Sequence, residues 1–129
     1  MSRRLESLKE VAYKEALKCT GKQRHGAVVL GNGGRILAKA CNNYDNNTHA
    51  EVRALKRVAH DAQDSAEELI VVRARKDQKW GMSKPCPACQ EAIKEARIKV
   101  VYYSTNGEML DYETYDNEAK DIASLDVRQ

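Results

Sequence analysis

Pro85-Cys86-Pro87-Ala88-Cys89 sets the frame for reading this 129-residue chain. Two prolines around the first cysteine suit the opening of a helix, whose first amides lack intrahelical partners in any case. Cysteines three apart fall on one helix face. At a helix N-terminus the dipole favours the thiolate, the form that binds metal. On its own the pair fits a redox dithiol, a structural zinc site and a catalytic zinc site equally. The helix it opens runs to about Arg97, with Ala88, Ala92, Ile93 and Ala96 inward. Strand-like runs precede and follow it, Leu69–Arg75 and Lys99–Ser104. A strand, a crossover helix and a second strand are therefore expected, the building unit of an α/β sandwich.

A second cluster, Thr48-His49-Ala50-Glu51, lies upstream, with His49 37 positions before Cys86. Each part has a plain structural reading. His49 could be an ordinary polar residue at a helix start, and Thr48-x-x-Glu51 fits a capping box. Combined with the cysteines, the cluster supplies one imidazole, two thiolates and a spare carboxylate. Three such ligands leave the fourth position of a tetrahedral zinc open, which is the catalytic arrangement. A carboxylate beside a zinc-activated water is what hydrolysis at a polar carbon needs. Two helix N-termini converging on one point would also make an electropositive pocket. A structural site would want a fourth protein ligand. His25 and His60 have no partner at ligand spacing, and Cys19 and Cys41 read as small core residues.

The remaining elements follow from periodicity. Leu5, Leu8, Val11, Ala12 and Ala16 predict an amphipathic helix over 3–19, ended near Gly21. His25–Leu30 and Arg35–Cys41 flank Gly31-Asn32-Gly33-Gly34, a hairpin signal. Asn42–Asn47 is a polar loop leading into a helix from about His49 to His60. Residues 76–84 read as a loop. Asn106-Gly107 offers a turn, Met109–Thr114 a fifth strand, and the tail from Asp116 one short helix. The expected architecture is a single domain over 1–129, a three-layer α/β/α sandwich with a mixed five-stranded sheet.

Composition narrows the function classes. Hydrophobic residues make up 42% and charged residues 32%, ordinary for a globular domain. A net charge of +3 could favour a phosphate-bearing substrate but falls short of a dedicated duplex-DNA binder. No apolar run is long enough for a membrane span, and Met1–Glu6 is not followed by a secretory apolar region. A cytoplasmic location with reduced cysteines is expected.

His49-Ala50-Glu51 followed by Pro85-Cys86-x-x-Cys89 resembles the zinc signature of the cytidine deaminase superfamily. The likeness spans roughly residues 24–105 and includes Gly26-Ala27-Val28-Val29 and Ile36–Asn42. It implies a cytidine deaminase-like fold in which His49, Cys86 and Cys89 hold Zn2+ and Glu51 shuttles protons to and from a zinc-bound water. It also implies that Asn42 contacts the nucleoside, with Asn43 beside it, that the amides of Ala50 and Cys86 lie near the reacting centre, and that the chain forms a homo-oligomer, a dimer or tetramer.

The substrate is less sharply indicated, because cytosine and adenine both carry an amine on a ring amidine. A hairpin at Ser104–Gly107 resembles the branch acting on free nucleosides, whereas the polynucleotide branch runs those strands parallel. Pro85–Gln90 partly resembles the free cytidine deaminases, whereas a histidine as first ligand is usual in the nucleotide and nucleic-acid branches. Trp80, six residues before Cys86, could stack on a base or simply pack. Arg24, His25, Lys79 and Lys84 could meet a phosphate. The expectation is hydrolytic deamination of a cytosine base in a free nucleoside or nucleotide. The alternatives are a deaminase acting on cytosine or adenine within single-stranded DNA or RNA, and a non-catalytic binding module stabilised by zinc.

Overall fold

The computed structural model describes residues 3–19, 23–42, 49–77, 79–107 and 110–115. In chain order the elements are α1 (Arg3–Leu17), β1 (Arg24–Gly31), β2 (Ile36–Cys41), α2 (Ala50–Arg57), β3 (Ala66–Ala74), β4 (Trp80–Gly81), α3 (Pro87–Glu95), β5 (Val100–Ser104) and β6 (Leu110–Thr114). The strands form one mixed sheet in the order β2-β1-β3-β5-β6, with the two-residue β4 against β3. Only β3 and β5 pair in parallel, and α3 makes the crossover between them. The other pairings are antiparallel.

Strand alternation divides the core into two layers. Ala27 and Val29 of β1, with Leu69 and Val71 of β3, face Ala50 and Ala54 of α2 and Ile93 of α3. Val28, Leu30, Ile70 and Val72 face the other way, onto Leu8 and Ala12 of α1. Helices therefore cover both faces, giving the expected α/β/α sandwich. At Gly26 the backbone of α1 comes so close that a Cβ would collide with the carbonyl of Ala12 and lie 2.5 Å from the amide nitrogen of Ala16. The hairpin between β1 and β2 turns through Gly33 and Gly34, whose φ angles of 75° and 78° explain the glycines there.

Several expectations need correction. α2 stops at Arg57 rather than His60, because Val58 turns extended and its amide closes the last turn on the carbonyl of Leu55. A 3-10 segment over His60–Ser65 follows. α3 ends at Glu95, where Arg97 takes a left-handed conformation (φ 61°) and the amide of Ile98 bonds back to the carbonyl of Ile93. The stretch 76–84, expected as loop, includes a tight return: Trp80 and Gly81 pair with Ala74 and Arg73. Cys19 and Cys41 are not separate core residues but form a disulfide. α1 lies over the sheet so that its end meets the end of β2, with the two Cα atoms 6.0 Å apart, within bonding range. Gly21, Thr48 and the expected tail helix after Asp116 lie outside the described residues.

Candidate active site

Two helix starts build the site. His49 is the N-cap residue of α2 and Cys86 that of α3, each with extended backbone, and Cys89 sits in the first turn of α3. Pro87 occupies the opening of α3, where no amide is missed. α2 and α3 both begin at the end of the sheet where β2 and β3 finish, which brings the His-Ala-Glu and Cys-x-x-Cys segments together. His49 Nδ1 is 3.1 Å from Cys89 Sγ and 3.6 Å from Cys86 Sγ. The candidate ligand atoms of all three residues lie within 4.8 Å of one another. Tetrahedral bonds of about 2.3 Å to sulfur and 2.0 Å to nitrogen place those atoms roughly 3.5 Å apart, so the observed spacings fit a common metal.

The electrostatics also fit a cation. Cys89 is buried, and that burial pushes its thiol well above the ordinary range; the neighbouring Glu51 carboxylate and Cys86 push it further the same way. A divalent metal reverses that logic, because coordination deprotonates a thiol. Glu51 is only 5% exposed. Burial raises its carboxyl above the usual carboxylate range, opposed by its own backbone amide, by His49 and by a hydrogen bond from Cys89. The cap of α2 is His49, with no side-chain cap bond, so Glu51 is the second helical residue, and its hydrogen bond with Cys89 turns it toward the cysteines. Among the described residues this His-Cys-Cys group is the one cluster with metal-ligand spacing.

The other expected site residues divide. Ala50 is buried in the first turn of α2, beside His49. Asn42 joins two strand ends: its Oδ1 accepts from the amide of His25 at 2.9 Å, and its Nδ2 donates to the carbonyl of Gln23 at 2.8 Å. Arg24 donates to the carbonyl of Arg75 at 3.0 Å. Lys84 lies 3.5 Å from Glu113 of β6. Trp80 is elsewhere. The residue is 4% exposed, and its ring stacks on that of Tyr13 of α1, with centroids 4.7 Å apart. β4 turns it to the α1 face of the sheet, opposite the zinc cluster, so it packs the core and is no platform for a base. Asn43 lies outside the described residues.

His25 is held neutral. Burial, then the charge of Arg73, then His49 lower its pKa from 6.5 to about 4. Between those two values the unfolded chain binds more protons than the folded one, so stability rises with pH there. Urea unfolding is expected to show stability lost as pH falls from 6.5 toward 4, and His25→Gln should flatten that slope. An unchanged slope in the variant would refute the assignment.

The sequence reading missed the groups that fix the Cys86 loop. Ser83 Oγ donates to the carbonyl of Val71 at 2.7 Å and lies 3.1 Å from Ser104 Oγ. Ser104 Oγ donates to the carbonyl of Gly81 at 2.6 Å and accepts from the amide of Arg73 at 3.0 Å. These two buried hydroxyls tie the loop before Cys86 into the sheet where β3 and β5 stop pairing. A lone serine ending a strand such as Val100–Ser104 gives little warning of this.

Residues 2–105 match the family model described as the cytidine and deoxycytidylate deaminase zinc-binding region. The chain belongs to this family, and its His-Cys-Cys cluster fits Zn2+. Among solved structures, the fold is similar to cytidine deaminase from Burkholderia pseudomallei, at 20% identity and TM-score 0.61 over 88% of this chain and 93% of that one. It is similar to dCMP deaminase from the cyanophage S-TIM5, at 25% identity and TM-score 0.58 over 81% and 86%. A third likeness is to a structure from A-to-I editing by tRNA deaminases at the wobble position, at 24% identity and TM-score 0.54 over 79% and 76%. No curated protein matches the chain in sequence. Family membership implies a hydrolase acting on C–N bonds. No described helix is long and apolar enough to cross a membrane.

Proposed function

We propose that the chain is a zinc-dependent hydrolytic deaminase that converts cytosine to uracil in a free nucleoside or nucleotide. The observation that carries this reading is Glu51: a buried carboxyl with a raised pKa, packed against a three-ligand cluster that has no fourth protein ligand among the described residues. A structural zinc site has no use for such an acid, which argues against a binding module.

Zinc bound here would supply the electrophilic centre that makes water nucleophilic near neutral pH. The chain's own residues do the rest. His49 Nδ1 and the two sulfurs are set by helix starts, so little reorganisation is needed on loading. Glu51 can take one proton from the attacking water onto its carboxylate and deliver it to the ring nitrogen, then take the second from the hydroxyl left on the ring carbon and deliver it to the amine, which departs as ammonia. Its elevated pKa suits a group that must hold a proton in one step and release it in the next. The first-turn amides of α2 and α3, including that of Ala50, are donors toward polar atoms of the base.

Support for a free substrate comes from β6. It pairs antiparallel with β5 through five residues, from Val100 opposite Thr114 to Ser104 opposite Leu110, the arrangement associated above with deaminases of small nucleosides. The S-TIM5 dCMP deaminase, also solved with dCMP and dUMP, favours nucleotides as substrates here. Single-stranded nucleic acid is the competing substrate class. A homo-oligomer belongs to the same reading. So does a cytoplasmic location, although the Cys19–Cys41 bridge argues the other way, since reducing compartments rarely preserve disulfides.

The test is a panel of cytidine, deoxycytidine, their monophosphates, adenosine, single-stranded DNA and tRNA, read by mass spectrometry. Uracil products from the small cytosine substrates are expected. Turnover confined to the polynucleotides would replace this substrate class with the other.

A further inference from the structure

One cation on the site face of the sheet has no role in the proposed proton transfers. Ala27 and Val29 of β1 and Leu69 and Val71 of β3 point to the α2–α3 side. The same alternation carries His25 and Arg73 to that side, at the end of the sheet where the zinc cluster lies. The two residues are direct cross-strand partners, and the charge of Arg73 is one reason His25 stays neutral.

Arg73 is held but not paired. Its amide donates to Ser104 Oγ. Its stem passes over Gly81, where a Cβ would lie 3.0 Å from Arg73 Cδ, so the glycine leaves room for it. Its Nε is buried without a hydrogen-bond partner among the described residues. None of the ion pairs among those residues includes it, and Asp77 is engaged with Arg75 at 3.1 Å. A buried donor without an acceptor is costly. A guanidinium presents a rigid fork of donors that matches phosphate geometry.

We propose that Arg73 is a specificity-determining residue that reads the phosphate of the substrate, so that a nucleoside monophosphate is preferred over the nucleoside. The assignment rests on the deaminase reading above, and it adds a residue outside the zinc signature. Phosphate supplies an acceptor that this guanidinium lacks among the described residues, which places the binding energy in the part of the substrate that does not react.

The test compares kcat/KM for dCMP and deoxycytidine on zinc-loaded wild type, Arg73→Gln and Arg73→Lys. Wild type should favour dCMP. The ratio should fall about tenfold or more in Arg73→Gln and recover in part in Arg73→Lys, which keeps the charge but not the fork. A wild type without preference, or a ratio unmoved in Arg73→Gln, overturns the proposal. Thermal denaturation supplies a readout that needs no turnover. dUMP should raise Tm more than deoxyuridine in wild type, and that difference should vanish in Arg73→Gln. Equal protection by inorganic phosphate alone would mark an anion site unconnected with the nucleoside and also overturn the assignment. If neither substrate is deaminated while dUMP still protects through Arg73, the deaminase reading falls and the phosphate assignment stands.

Discussion

Glu51→Gln is expected to keep its zinc and lose turnover by about 10³- to 10⁴-fold, because proton transfer by a positioned acid is worth roughly 10²–10⁴ in each role it fills. The amide matches the carboxyl in size and can still accept from the backbone amide of residue 51, so the first turn of α2 should stay intact. It cannot take up or release a proton. The loss should fall on kcat rather than on KM, since the missing interaction belongs to the transition state. Metal analysis and steady-state kinetics on the same preparation check both halves. A variant that holds zinc and works within tenfold of wild type would remove Glu51 from the mechanism.

Gly26→Ala should be the most damaging small substitution among the described glycines. The added methyl would meet backbone on α1, the carbonyl of Ala12 and the amide of Ala16, and backbone cannot rotate aside as a side chain can. Separating α1 from β1 disturbs the layer formed by Leu8, Ala12, Val28 and Leu30. Overpacking of this kind costs about 3 kcal/mol, or roughly a 10–15 °C fall in Tm for a chain of this length. Gly107→Ala is the control, because nothing lies within 4 Å of a Cβ there. Comparable melting temperatures for the two variants would show that α1 can yield at Gly26.

These two positions mark what the sequence could and could not tell. The zinc cluster was legible because its chemistry is local: a helix start fixes two thiols three residues apart, and a second helix start supplies the imidazole and the acid. The layered fold was legible because apolar period changes between 3.6 in α1 and 2 in the strands. Contacts set by close approach between distant segments were not legible. Gly26 reads as one more glycine in a strand until α1 is laid over it. Cys19 and Cys41 meet only because the end of α1 and the end of β2 coincide, a fact carried by packing and not by spacing. Trp80 misled for a related reason. Its distance from Cys86 along the chain suggested the pocket, but the short return through β4 reverses the face it occupies, and Tyr13 covers its ring. Arg73 stood in an apolar run that gave no sign of a free guanidinium.

His49, Cys86, Cys89 and Glu51 are proposed to form a hydrolytic zinc site acting on cytosine. Its most direct test strips the protein of metal, reloads it stepwise with zinc, and follows conversion of dCMP and cytidine to uracil products at each step. No turnover is expected in the stripped protein, with activity rising linearly to a plateau at about one zinc per chain. Full activity in folded, metal-free protein, or a folded and fully loaded protein that deaminates no cytosine substrate, would contradict it.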